Sequence, residues 1–387
     1  MVGDLARTES VAPSLCWRPE CVPGRSWTTA TRRRTRRVAL VGTRYRTLCS
    51  RVASAVGVVG RSKVRRMIPI TNQTHQNLGF VAAMHHITAN ALSFDLEHWH
   101  TATLLRDAVA DPVDHLVDST NIVLEHLDNH DVTATFFVVG EVAREYPDLI
   151  AEVAAAGHEI GSHGHSHRPL FDLSPGVFER ELRDSREAIV DACGVSPTGF
   201  RAPNFSVTQE TAWAFDVLRE SAYEYDSSVF PMKTPMYGVH GAPRRPYTVD
   251  PADPFAADAA DDRDVAPDDL VELPLSVLGS TLRFPIAGGF YARVTPRQIL
   301  QHAIARLERT GIPANLYFHP WEFNPAVRTD EPPLLARLIS FTGIDRLGDT
   351  LDAMLERFQF GPVRDLCGGA FDADPDSLSD SPNNIWT

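Results

Sequence analysis

Residues 157–194 read GHEIGSHGHSHRPLFDLSPGVFERELRDSREAIVDACG, one complete strand–loop–helix unit. A helical run, DLIAEVAAAG, stops at Gly157, and the short HEIGSH that follows it reads as a strand. Ser174 then stands as N-cap, Pro175 at the first helical position and Gly194 just past the end, which brackets a helix. The same unit recurs on both sides. ANALSFDL precedes a helix near 115–129, VTATFFVVG a helix over 141–156, and GFRAPN a helix near 208–220. Beyond a loop-rich stretch come DLVELPLSVL, a helix from Thr295-Pro296 to Gly311, then ANLYFHP and two closing helices. Strands that alternate with helices build a parallel sheet. About seven such units without a glycine-rich dinucleotide fingerprint point to an α/β fold, a distorted (β/α) barrel with about seven strands. No internal sequence repeat is present.

At 387 residues, 43% hydrophobic and 22% charged, the chain is long enough for one large α/β domain. Its charge is divided unevenly. Residues 1–66 hold fifteen Lys and Arg against three Asp and Glu, and the remainder holds 22 against 47. The apolar stretch of the basic part is interrupted by Arg44, Arg46 and Arg51, which fits neither a signal peptide nor a membrane span. Residues 1–83 are therefore expected to be a basic leader: sequence translated from upstream of a true start at Met67 or Met84, or else a disordered tail. A catalytic domain is expected over 84–360, with an acidic excursion at 231–268, and an acidic tail over 361–387. Past residue 66 the chain has one lysine, Lys233, and a strongly acidic balance that suits concentrated salt. No export signal is legible, so a cytoplasmic protein is expected, with membrane association as the alternative. Nucleic acid is not an expected partner. Cys193 and Cys367 form no CxxC or other metal spacing.

Residues 157–170 carry four of the fifteen histidines. Spacing alone is weak evidence, because this composition yields about 0.6 H-x-x-x-H pairs by chance. His126 and His130 show as much: they have the same spacing at what reads as a solvated helix end. His163 and His167 instead follow a strand, where α/β folds place their chemistry. The other strand ends supply Asp95 and Glu97, Arg201, Asp226 and His319, each from a different unit. A carboxylate with two imidazoles makes a three-ligand divalent site with open positions. A second carboxylate two residues away can act as base, and a distant histidine as acid.

SFDLEHW, GSHGHSH, FRAPNFS, YDSSVFP and YFHPWEF, in that order, resemble the five motifs of the NodB-homology polysaccharide deacetylases, carbohydrate esterases of type 4. GGFYARVTP and HPWEFNP are similar to stretches of the branch associated with exopolysaccharide loci, and the acidic surface adds a haloarchaeal origin to that expectation. The resemblance spans roughly residues 89–360 and implies a distorted barrel. It implies Asp95 as catalytic base, Arg201 as the residue orienting it, and His319 as general acid. Glu97, His163 and His167 are implied as ligands of a divalent metal, zinc first, with cobalt, manganese or nickel as alternatives. Beside the resemblance, Asn204, Phe205 and Trp321 are candidates to line a sugar-binding groove, since aromatic faces suit apolar sugar surfaces, and Asp226 is a further substrate-site candidate. The implied reaction is removal of N-acetyl groups from an N-acetylated polysaccharide or oligosaccharide, with release of acetate and peripheral association with an assembly complex. The first motif departs from the family in reading Asp95-Leu96-Glu97 where adjacent aspartates are common, and His98 where the branch has Asp.

Plainer readings stand beside these. Asp95 and Arg201 make an ordinary buried ion pair, His319 packs beside Trp321, and Asp226 forms a turn. At the level of function, the alternatives are a metal-independent C–N hydrolase on a non-sugar amide, and a catalytically silent carbohydrate binder.

Overall fold

The structure is a computed structural model that describes residues 90–234, 237–256 and 269–367. The expected leader over 1–83 and most of the acidic tail lie outside the described residues.

Among the described residues eleven strands and nine helices form, with several 3-10 turns between them. The strands are β1 (Asn90–Leu96), β2 (Thr135–Val138), β3 (Glu159–Ser162), β4 (Gly199–Phe200), β5 (Tyr225–Asp226), β6 (Tyr247–Thr248), β7 (Val271–Glu272), β8 (Val277–Leu278), β9 (Phe284–Pro285), β10 (Asn315–Phe318) and β11 (Phe360–Gly361). The helices are α1 (Leu116–Asn129), α2 (Gly140–Glu145), α3 (Pro147–Ala155), α4 (Pro175–Cys193), α5 (Ala214–Glu220), α6 (Gly289–Val294), α7 (Arg297–Arg309), α8 (Leu334–Phe341) and α9 (Leu347–Leu355). The main sheet runs β10-β1-β2-β3-β4-β5-β7-β6, with every neighbouring pair parallel except β6 with β7. Seven parallel strands therefore make the wall, in agreement with the distorted barrel expected. The ladder stops between β7 and β10, but the Ser276 N–H donates to the Asn315 carbonyl and the Asn315 N–H to Ser276 Oγ, which draws the curl together.

Period-two alternation sorts the side chains of β1. Leu92, Phe94 and Leu96 pack outward with Val123 and Leu127 of α1, and with Leu316 and Phe318 of β10, in the largest apolar cluster. Ser93 and Asp95 point to the other side, where Arg201 reaches both. A smaller cluster of Ala91, Phe137, Tyr225 and Val271 lies with Val363 and Leu366 of the turn after β11. The polar chemistry thus sits above an apolar floor.

Several local expectations are corrected. The helix expected over 141–156 is two helices, because Tyr146 leaves the helical region at φ −126° and ψ 55° ahead of Pro147. The helix expected from 208 begins only at Ala214, after a turn knotted by Thr208 and Thr211. Ser174 occupies the N-cap of α4 without a side-chain cap bond, whereas Gly194 closes that helix at φ +74° as expected. His126 and His130 are not a solvated helix end. They are half-buried, and both face Oδ1 of Asp352 on α9, at 2.7 and 3.1 Å.

Candidate active site

One cavity of about 340 Å³ opens where β1, β3, β4 and β10 end, and Asp95, Glu97, His163, His167 and His319 all line it. Asp95 ends the inward-facing row of β1. Glu97 follows one residue beyond the strand, and His163 one residue beyond β3. Parallel strands, with β2 between β1 and β3, bring these ends together without any nearness in sequence.

Glu97, His163 and His167 each offer a ligand atom, all within 4.8 Å of one another, and all three residues are buried. Glu97 Oε2 stands 2.5 Å from His167 Nε2, and Glu97 Oε1 3.5 Å from His319 Nε2. Burial alone would raise the Glu97 carboxyl, but the His167, His319 and His163 imidazoles outweigh it and hold the group down to about 2. Burial likewise holds His163 down to about 4, a neutral imidazole. Its Nδ1 lies 2.8 Å from the Arg201 carbonyl, which can only accept, so Nδ1 carries the hydrogen and Nε2 offers its lone pair to the cluster. An anionic oxygen and imidazole nitrogens converging in a buried pocket fit a divalent cation. The longer Glu97 side chain reaches the cluster from its shifted position, and His98 turns away towards Glu145 and Asp114.

Arg201 has no exposed surface and spends its donors on four acceptors. Nη1 donates to Asp95 Oδ1 and to Ser93 Oγ, both at 2.8 Å; Nε donates to the Ser227 carbonyl and Nη2 to Ser227 Oγ, both at 2.9 Å. The guanidinium also lies 4.2 Å from the Phe137 ring centroid. It does not line the cavity; it fixes Asp95 from behind. The second oxygen, Asp95 Oδ2, lies 4.0 Å from His163 Nε2.

His319 is anchored from the opposite side. Oε2 of Glu322 accepts from the His319 N–H at 3.0 Å and lies 3.1 Å from His319 Nδ1, while Arg293 holds Oε1 at 3.0 Å. Burial works against the imidazolium, but the hydrogen bond to Glu322 and the charges of Glu97 and Glu322 outweigh it and push His319 up to about 9. Burial would also raise Glu322, yet the Arg293 charge keeps its carboxyl below the ordinary range. Arg293 comes from α6, whose first residue, Gly289, abuts this ion pair. A Cβ there would stand 1.9 Å from Glu322 Oε2, so only glycine lets the helix approach.

Asn204, Phe205 and Trp321 line the cavity as expected. His167, Asn204 and Phe205, at φ 51°, 58° and 49°, are three of the six non-glycine residues with left-handed backbone among those described. Such conformations gather where surrounding structure holds them for function. Asp226 is corrected: it does not line the cavity. Fully buried beneath it, Asp226 accepts from Ser228 Oγ at 2.5 Å and is bonded to Glu272, which accepts from the Val229 N–H. Burial raises both carboxyls, Asp226 to about 6 and Glu272 further under the charge of Asp226. Asp226 Oδ2 and Glu272 Oε2 have no other partner among the described residues, so the pair shares a proton.

Sequence reading missed Ser93, Ser227, Arg293 and Glu322. Glu322 had a signal, standing three residues after His319 inside YFHPWEF, the spacing at which a carboxylate reaches back to a cap position. Arg293 stood inside GGFYARVTP, but its partner lies 29 residues away, so no local pattern marked its role.

Comparison with known proteins agrees with this geometry. The family model described as polysaccharide deacetylase matches residues 106–223. This part of the chain is similar to the polysaccharide deacetylase family. A domain of unknown function, DUF3473, follows over 227–368. The deacetylase match thus contains His163, His167, Arg201, Asn204 and Phe205, while Asp95 and Glu97 precede it and Arg293, His319 and Glu322 belong to the second match. A chitooligosaccharide deacetylase of Rhizobium leguminosarum bv. trifolii is 37% identical over 105 residues, 26% of this chain and 45% of its own. A peptidoglycan-N-acetylglucosamine deacetylase of Bacillus cereus is 29% identical over 99 residues, 25% of this chain and 36% of its own. The chain spans less than half the length of these curated relatives. A solved Mycobacterium smegmatis chain assigned to the polysaccharide deacetylases is 20% identical with TM-score 0.49, covering 72% of this chain and 88% of that one. Among the described residues, no helix is long and apolar enough to cross a membrane.

Proposed function

We propose that the protein is a metal-dependent N-deacetylase of an amino-sugar-containing saccharide, with its catalytic region over 84–360. The observation that carries this reading is the placement of Asp95 and His319 in one cavity, around the buried cluster of Glu97, His163 and His167. Those three residues would hold a divalent cation, zinc first by the chemistry of the donor set. When bound, the ion supplies Lewis-acid polarisation of a carbonyl and acidification of water.

This chain's own residues account for the proton traffic. Asp95, with one oxygen tied by Arg201, keeps its other oxygen free to take the proton of the attacking water. His319, pushed up to about 9, is an imidazolium at neutral pH. Its Nδ1 is occupied by Glu322, which leaves Nε2 to protonate the departing amine. The left-handed turn at Asn204 and Phe205 supplies the backbone for an oxyanion site. Acetate and a free amino sugar are the products, and an exopolysaccharide or its precursor is the proposed substrate.

The test is acetate release from N-acetylated saccharides by the full chain with and without divalent metal, beside Asp95→Asn. Release that needs metal and Asp95 is expected. Release from a non-sugar amide alone, or after complete metal removal, would favour the metal-independent C–N hydrolase.

A further inference from the structure

On a helix, an H-x-x-x-H pair meets without outside help, because positions four apart stack one turn above the other. His163 and His167 lie instead in a loop, whose backbone turns left-handed at Gly164 and again at His167, with φ 74° and 51°. Their rings nevertheless converge to 5.1 Å between centroids, within reach of Glu97. Two helices hold the loop in that shape. From one side the first N–H groups of α2 donate to it, Gly140 to the Gly164 carbonyl and Glu141 to the His165 carbonyl, each at 2.9 Å. Glycine permits this approach, since a Cβ on Gly140 would stand 2.3 Å from His165 Nδ1 and 2.9 Å from Ser185 Cα. From the other side the Glu181 carboxylate of α4 accepts. Its Oε2 takes the His165 N–H at 3.0 Å and the Ser166 N–H at 2.8 Å, and its Oε1 takes the Ser166 hydroxyl at 2.8 Å.

We infer that Glu181 is a positioning residue for the metal ligands: by fixing the peptide run between them, it sets how His163 and His167 close on a divalent cation. The inference rests on the metal-dependent reading above. Glu181 does not line the cavity, and all three of these bonds go to residues between the two ligands. The earlier donors of the loop are held by the barrel itself, the His163 N–H by the Val138 carbonyl at 2.9 Å and the Gly164 N–H by Ser162 Oγ at 3.3 Å. Without the carboxylate, the N–H groups of His165 and Ser166 lose their acceptor, and a loop that turns to find new ones changes the path by which His167 reaches the cluster. The left-handed backbone of His167 gives a released loop a further reason to move, because a side chain bearing a Cβ reaches that region only at a cost. Three donors converging on two oxygens suit a carboxylate. A glutamine can imitate it, with its carbonyl oxygen for the two N–H groups and its amide N–H for the Ser166 oxygen. An alanine cannot.

The experiment strips the full chain of metal with a chelator and titrates it with Zn²⁺ by calorimetry and with Co²⁺ by visible absorption. Parent protein is compared with Glu181→Ala, Glu181→Gln, Ser166→Ala and, as a control at an exposed position of the same helix, Glu187→Ala. Thermal melts without metal report the fold separately. Glu181→Ala is expected to weaken metal binding about 10–100-fold and to change the cobalt spectrum, while Glu181→Gln stays within about threefold of the parent. Ser166→Ala, which removes one bond of the three, is expected to fall between them. Metal affinity and a cobalt spectrum equal to the parent's in Glu181→Ala overturn the positioning role whatever the melts show, as does an equal loss in Glu187→Ala. Should Glu181→Ala not fold, Ser166→Ala decides: weakened metal binding supports the role, and parental binding overturns it. A parent chain that binds neither metal overturns the metal-dependent reading itself.

Discussion

Two histidine pairs in this chain share the spacing H-x-x-x-H and have opposite fates. His126 and His130 lie at the C-terminal end of α1, outside the barrel, and share one oxygen of Asp352. His163 and His167 lie in the loop after β3, buried at the barrel mouth against Glu97, with His163 Nε2 aimed at Asp95. The residue types are identical; the difference is what the fold brings opposite them. A single carboxylate oxygen shared on a flank makes a fastening between helices. A buried glutamate, with Asp95 and His319 beside it in one cavity, makes the second pair the centre of the proposed reaction site. Two carboxyl pairs divide in the same way. Asp95 and Glu97 face cations and histidines at the mouth, whereas Asp226 and Glu272 face each other below it and share a proton.

Replacing the mouth pair tests this contrast most severely. His163→Ala with His167→Ala is expected to take metal content from about one divalent ion per chain to none and to abolish acetate release. Elemental analysis beside an activity assay measures both, and retained metal would break the comparison. Asp95→Asn comes next: turnover is expected to fall roughly 10²–10⁴-fold while metal content stays, separating the base from the ligands. Glu322→Gln touches the acid only through His319, and a loss of about 10–100-fold in kcat with little change in KM is expected.

Asp226→Asn sharpens the second contrast through stability. Folding holds the Asp226 proton more tightly than the unfolded chain does, since burial raises its carboxyl from 3.8 to about 6. Its contribution is therefore complete below about pH 4 and lost as pH rises through about 6. Denaturant titrations of parent and variant across pH 4–8 should show a difference that shifts on the order of 3 kcal/mol in the variant's favour as pH rises. A pH-independent difference would remove the shared proton. Smallest of all, His126→Ala with His130→Ala is expected to cost about 1 kcal/mol or less and leave acetate release unchanged, measured by thermal melts and the same assay.

Much of the barrel was legible in local signals. Gly157 and Gly194 end helices where they stand, Pro175 opens α4, and the apolar runs of β1, β2, β3 and β10 lie within three residues of their expected places. Misreadings came where neighbours along the chain compete. Pro147 splits a run whose apolar period is continuous, and the Thr208–Thr211 turn takes residues that could have begun α5. At the cavity, Asp95, Glu97, His163 and His319 stand at or just beyond strand ends, which parallel strands bring to one rim; Asp226 also ends a strand but does not line the cavity.

The sequence by itself determined the order of strands and helices, the residue types at each strand end and hence the chemistry available at the mouth. Only tertiary structure decided which of those residues meet. It sent Asp226 beneath the floor to Glu272, gave Arg201 its four acceptors and set Arg293 behind Glu322. It also tied Thr103 to Asn204, 101 residues apart. The physical reason is range: caps, turns and periodicity act within a few residues. The pairing and desolvation of buried polar groups depend on contacts between distant segments, which no local pattern specifies.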